Sequence, residues 1–237
     1  MDIDDHAATS YDYRSMGRTH VKICGVTRVD DAIAAAELGA DAVGMVRIAG
    51  TPRCVQDAIA AEIVDALPAF VTAVMLFANE SPSEITAAAR GFGIGTVQLH
   101  GDEEMIAVSD VAPLRVIKAL RVVPERIRFE LTQWRRMRPN NLAGLVLESP
   151  VPLGGSGVSN NWDLIRQLRD ENYLNPLDQP PIIFAGGLRV ETVGALVKEF
   201  QPYAVDVSSG VEGGDKRVKS RTKIAEFIAA VREACGE

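Results

Sequence analysis

Residues 181–214, PIIFAGGLRVETVGALVKEFQPYAVDVSSGVEGG, contain one complete structural cycle and the start of the next. PIIFA (181–185) is a short, unbroken apolar run, the pattern of a strand covered on both faces. Gly186-Gly187 ends it, and a helix follows near 190–200. YAVDV (203–207) repeats the strand, and SSGVEGG repeats the glycine-rich break before a last helix near 219–234. Strand, turn, helix and strand in that order form a βαβ unit, whose strands run parallel.

The same cycle extends back to residue 21. VKIC (21–24), AVGMV (42–46), VTAVMLF (71–77), TVQL (96–99), RVIKALRV (115–122) and LAGLVLE (142–148) read as six earlier strands. Thr27 is placed to cap the first helix, which Gly39 ends. Further helices are expected at 57–67, from Ser81, after Asp102, at 125–137 and from about Trp162. Ser81-Pro82-Ser83-Glu84 carries the residues of a capping box with proline in the first turn. Eight alternations within about 220 residues favour a single α/β (β/α)8 barrel, the TIM barrel, over an open sheet. The first strand-to-helix turn, Ile23 to Arg28, also lacks the G-x-G-x-x-G fingerprint of a dinucleotide sheet.

Composition sets further bounds. The 237 residues are 47% hydrophobic and 24% charged, as in an ordinary globular protein. We expect a loosely ordered tail over 1–18 and one barrel domain over 19–237. A net charge of −7 disfavours a nucleic-acid partner. No apolar run is long enough for a membrane span, and the polar, acidic N-terminus does not read as a secretory signal. Three cysteines with no Cys-x-x-Cys pair fit a reducing cytoplasm and predict neither a disulfide framework nor zinc. His6, His20 and His100 offer no paired ligands at one barrel end, so no metal is expected. Whether the chain is a monomer or a homodimer is left open.

In such a barrel the chemistry lies where strands end. Three of the last loops are rich in glycine and serine: Gly154-Gly155-Ser156-Gly157, Gly186-Gly187 and Ser208-Ser209-Gly210. Amide hydrogens at such turns bind phosphate, which predicts a small phosphorylated substrate. Cys24 ends strand one and Glu148 ends strand six, so the pair can face each other as base and acid, although a cysteine there can also be plain core. Lys22 points the same way as Cys24. If both face the lumen, Asp206 is the expected partner of Lys22, and the cation would depress the thiol's pKa. Arg53 suits a substrate carboxylate or phosphate, or is a surface arginine. His100 is either ligand-facing or structural.

Taken together, VKICGVT, TPR, FANES, VQLHGDE, VIKALRV, GGSG, FAGGL and YAVDVSSGVE resemble, over roughly residues 20–235, the phosphoribosylanthranilate isomerases of tryptophan biosynthesis. The resemblance implies a metal-free, cofactor-free barrel performing an Amadori rearrangement. Cys24 would then take the C2′ proton and Glu148 would protonate the furanose oxygen. Arg53 would hold the anthranilate carboxylate, the three glycine loops the phosphate, and Asp206 would line the site. The family usually has aspartate where this chain has Glu148, and often an aromatic residue where it has Asn160-Asn161. The longer acid leaves a second reading open: a retuned or non-catalytic phosphate-binding barrel. Other phosphate-binding barrel enzymes use paired aspartates, a metal or lysine-rich strand ends, and do not account for Cys24 with Arg53.

Overall fold

The computed structural model describes residues 18–150 and 157–237. Eight strands close into a barrel in sequence order: β1 (His20–Cys24), β2 (Ala42–Val46), β3 (Thr72–Phe77), β4 (Thr96–Leu99), β5 (Arg115–Arg121), β6 (Leu142–Glu148), β7 (Ile182–Phe184) and β8 (Ala204–Val207). All neighbours are parallel, and β8 closes on β1 with Lys22 beside Asp206. One register shift interrupts the β5–β6 pairing at Val116/Ile117.

Each strand is followed by a helix: α1 (Val29–Leu38), α2 (Asp57–Ala66), α3 (Pro82–Phe92), α4 (Met105–Asp110), α5 (Ile127–Met137), α6 (Trp162–Asp170), α7 (Val190–Phe200) and α8 (Arg221–Cys235). The capping box forms as the sequence predicts: Ser81 accepts from the Glu84 amide, and the Glu84 carboxylate accepts from the Ser81 amide. Gly39 ends α1 with φ 97°. Thr27 does not cap α1. The cap position is Arg28, without a side-chain bond, because the Thr27 hydroxyl instead donates to the Arg217 carbonyl at 2.7 Å. Of the expected N-terminal tail, only Arg18 is among the described residues, and its guanidinium pairs with Asp41.

Strand side chains alternate between two environments. Ile23, Met45, Phe77, Leu99 and Leu147 point outward and join the helices in the main core. Cys24, Val46 and Leu76 form one inward cluster, and Ala119, Val146 and Ile183 another. Trp162, Phe184 and Phe200 meet edge to face or tilted, binding α6 and α7 over β7. Asn160 donates from Nδ2 to the carbonyls of Leu147 and Ala185, each at 3.0 Å, and so staples the ends of β6 and β7. Asn161 caps α6 by accepting from the Leu164 amide. The long segment from Glu171 to Pro181 leads into the start of β7, at the end of the barrel opposite the strand C-termini. Among the described residues no helix is long and apolar enough to cross a membrane.

Candidate active site

A cleft of about 670 Å³, its mouth included, opens at the C-terminal ends of the strands. Cys24, Arg53, Glu148, Asp206, Gly186, Gly187, Ser208 and Ser209 all line it, with Gln98 and His100. The predicted base and acid therefore share one pocket, reached from β1 and β6 on different walls.

On the β1 wall, Lys22 turns into the lumen and its Nζ lies 2.6 Å from Oδ2 of Asp206. Both are almost fully buried, so the pairing inferred from strand alternation is the one that forms. Oδ1 of Asp206 is buried with no hydrogen-bond partner among the described residues. Gly44 on β2 makes room for the arrangement. A Cβ there would sit 2.9 Å from Cys24 Sγ and 3.0 Å from Lys22 Nζ. The expected depression of the thiol is not what results. Burial pushes the Cys24 thiol up, Asp206 adds to that, and Lys22 offsets only part of it. Burial pulls on the Lys22 ammonium as well, but Asp206 and Cys24 outweigh it and hold the group above the ordinary lysine range.

On the opposite wall Glu148 is 7% exposed. Its Oε2 lies 2.8 Å from Nε2 of His100, which lines the same cleft. Arg53 is not a surface arginine. It is 7% exposed, and its Nε donates to Oε1 of Glu212 at 2.7 Å. Its stem passes over Gly25 (φ 70°), where a Cβ would meet Arg53 Cδ at 2.5 Å.

The predicted anion cradle is partly on the page. Gly186 and Gly187 have φ of 87° and 66°, a conformation open to glycine. Added Cβ atoms would lie 2.7 Å from the Ser149 amide nitrogen and 2.6 Å from Ser159 Cα. Ser208 and Ser209 line the same cleft beside Gly186-Gly187, and a 3₁₀ turn over Ser209–Val211 follows β8. Gly210 is not on the wall; it lies against the Leu188 carbonyl and lets these two loops approach. Gly157 (φ 78°) borders a neighbouring cleft beside α6 and α7, with Ser209 close to its Cβ position. Gly154, Gly155 and Ser156 lie outside the described residues.

Sequence reasoning passed over four participants. Gly44 reads as an ordinary strand glycine, and Gln98 as an ordinary strand polar residue. Yet Gln98 precedes His100 by two, the spacing that placed Lys22 with Cys24. Lys219 lies behind the β8 loop, its Nζ 3.1 Å from the Ser208 carbonyl and 3.4 Å from Oε1 of Glu212. Burial draws the Lys219 ammonium below its ordinary pKa. Glu212 thereby joins Arg53 to Lys219, a contact no local pattern announces.

Known proteins resemble this chain over most of its length. A family profile described as N-(5′-phosphoribosyl)anthranilate (PRA) isomerase matches residues 21–230. The N-(5′-phosphoribosyl)anthranilate isomerase of Geotalea daltonii is 41% identical over 220 residues, 92% of this chain and 99% of that protein. That of Azotobacter vinelandii is 41% identical over 222 residues, 92% of this chain and 100% of the relative. The crystal structure of the Thermotoga maritima phosphoribosyl anthranilate isomerase matches with a TM-score of 0.78 at 33% identity, covering 91% of this chain and 99% of that one. A crystal structure of such an isomerase with reduced 1-(o-carboxyphenylamino)-1-deoxyribulose 5-phosphate matches with a TM-score of 0.76 at 32% identity, covering 91% and 99%. The chain belongs to the N-(5′-phosphoribosyl)anthranilate isomerase family.

Proposed function

We propose that this chain isomerises N-(5-phosphoribosyl)anthranilate to 1-(2-carboxyphenylamino)-1-deoxyribulose 5-phosphate in tryptophan biosynthesis. The work falls to a single barrel domain over residues 19–237, acting in the cytoplasm. One observation carries the reading: a thiol and a carboxyl on different walls of a cleft whose third side is the Gly186-Gly187 and Ser208-Ser209 loops. The related structure with a reduced product-like ligand supports a sugar phosphate as occupant.

The residues divide the reaction between them. Glu148 protonates the furanose oxygen, and the anilino nitrogen's lone pair expels it, giving an open-chain iminium. Cys24 then removes the C2′ proton, and the C–H electrons neutralise the iminium to an enolamine, which tautomerises to the ketone. A thiol pushed up by burial is a poor base until that cation forms beside it. The iminium lowers the thiol's pKa, so the thiol gives its own proton to water in the open cleft and the resulting thiolate takes the one on C2′. Arg53, held by Glu212, faces the anthranilate carboxylate as a fixed guanidinium fork. Asp206 offers its unpartnered oxygen to the sugar hydroxyls. The glycine loops, Gly157 and the Gly154–Ser156 segment included, hold the phosphate.

Loss of the substrate's fluorescence tests the assignment. Wild type is expected to convert it, and Cys24→Ser to be slower by about 10²–10⁴-fold. An inactive wild type that gains activity with Glu148→Asp establishes the binding-protein reading instead. Full activity in Cys24→Ser removes the base assignment.

A further inference from the structure

Glu148 is one end of a chain of three side chains. Nε2 of His100 meets its Oε2 at 2.8 Å, and Nδ1 of the same ring lies 3.2 Å from Nε2 of Gln98. Gln98 is 1% exposed, while the His100 and Glu148 side chains keep 10% and 9% exposure at the cleft. Gln98 and His100 are two residues apart on β4 and its end, and both face the lumen.

The donors and acceptors fix the proton count. With the amide nitrogen toward the ring, Nδ1 is the acceptor and the ring hydrogen sits on Nε2, aimed at the Glu148 carboxyl. In that arrangement Gln98 Oε1 is buried without a hydrogen-bond partner among the described residues. Turning the amide by half a revolution puts this oxygen opposite Nδ1. It then accepts from an Nδ1–H, and Nε2 and Oε2 share one additional proton, either as carboxylic acid and neutral ring or as carboxylate and imidazolium. The amide's two orientations thus match the pair's two proton occupancies.

We infer that Gln98 and His100 are positioning residues that make Glu148 an acid: the proton delivered to the furanose oxygen is held between His100 and Glu148, and the Gln98 amide turns to accommodate it. The inference rests on the catalytic role given to Glu148 above. It also gives the longer acid a fixed geometry, since the ring pins one carboxylate oxygen that an added methylene would otherwise leave loose.

The surrounding charges are already matched. From β5 and the elements around it, Arg121 pairs with Asp102 at 3.1 Å, Arg126 with Glu130 at 2.6 Å, and Lys118 with Glu103 at 2.9 Å. Across the mouth, Asp206 is held by Lys22 beside Cys24, and Arg53 by Glu212, which also contacts Lys219. The added proton on this wall therefore falls to the His100–Glu148 pair.

Two measurements test this. Ring ¹⁵N spectroscopy of the ligand-free protein is expected to show the Nε2–H tautomer for neutral His100 and a mixed tautomer in Gln98→Leu. In kinetics, kcat is expected to fall at high pH as the pair loses its proton. Gln98→Glu places a carboxylate on Nδ1 and moves that limb up by about one unit or more. His100→Gln still donates to Glu148 but stores no proton; its kcat falls by about 10–100-fold with KM nearly unchanged, and its limb moves down. An Nδ1–H tautomer in the neutral wild type, or an unmoved limb in both variants, overturns the inference. Should wild type fail to turn over the substrate, the proposed function and the delivery step fail together, whereas a wrong ring tautomer in an active wild type overturns the His100–Gln98 arrangement alone.

Discussion

Lys22 is a buried cation whose energetic weight is decided by its partner. Its ammonium and the Asp206 carboxylate lie 2.6 Å apart in the lumen. Removing one member of a buried pair strands the other, whereas replacing both with apolar groups is often neutral. Lys22→Met is therefore expected to destabilise the protein by about 3–5 kcal/mol, and adding Asp206→Leu to recover most of the loss. Urea unfolding of the two variants checks this, and a double variant no better than Lys22→Met refutes it. The neighbouring thiol adds a pH signature. The folded value of Cys24 is raised above the ordinary 9.0, so the native state keeps a proton that the unfolded chain sheds. That contribution is complete below pH 9.0 and lost as pH rises through the folded value. Lys118 and Lys219 are drawn below their ordinary range by burial and contribute with the opposite sign. The stability difference between wild type and Cys24→Ala should shrink as pH rises above about 9.

At the scale of elements, the loops are tied down by side chains that local patterns hide. Glu103 accepts from the Asn79 and Gly101 amides at 2.8 and 3.0 Å and from Lys118 Nζ at 2.9 Å. It thereby joins the loops after β3 and β4 to β5, and holds the base of the turn that carries His100. Burial pushes its carboxyl up, but Lys118 and the amide hydrogens outweigh that and leave it below the ordinary 4.5. Its contribution is present above pH 4.5 and lost as pH falls through the folded value. Glu103→Gln is expected to cost about 3 kcal/mol near neutrality, with the gap to wild type closing below about pH 4. A gap unchanged at low pH would show that shape, not charge, is what Glu103 supplies. The elements themselves were readable because a parallel strand covered on both faces is a continuous apolar run, and Gly39 and Ser81 mark helix ends by backbone rules. Thr27 misled because its hydroxyl found a tertiary acceptor, the Arg217 carbonyl, which sequence spacing does not encode. Cys24, Arg53, Glu148 and Asp206 were found because strand ends are a defined place in a barrel. The His100–Glu148 contact was not, because it joins β4 to β6 past an intervening strand and depends on the stagger of the closed barrel.

At the scale of the molecule, the barrel brings the chain's last two strand-to-helix loops beside its first strand, so an anion in the mouth links segments far apart in sequence. The chain carries a net charge of −7, and its field opposes phosphate at long range. Binding must then come from short-range donors: the turns at Gly186-Gly187 and Ser208-Ser209, with the Lys219 ammonium behind them. A ligand that binds only the folded state stabilises it by about 2.7 kcal/mol at 100 times its Kd. For a chain of this size that is a rise in Tm of roughly 5–11 °C. Inorganic phosphate at saturation is expected to approach this shift in thermal melts. Ser209→Asp puts a carboxylate where the phosphate would sit. It should abolish the shift while leaving the unliganded Tm nearly unchanged, because Ser209 is only half-buried. A full phosphate shift retained in Ser209→Asp would move the anion site away from the β7 and β8 rim, and with it the orientation of the sugar between Cys24 and Glu148.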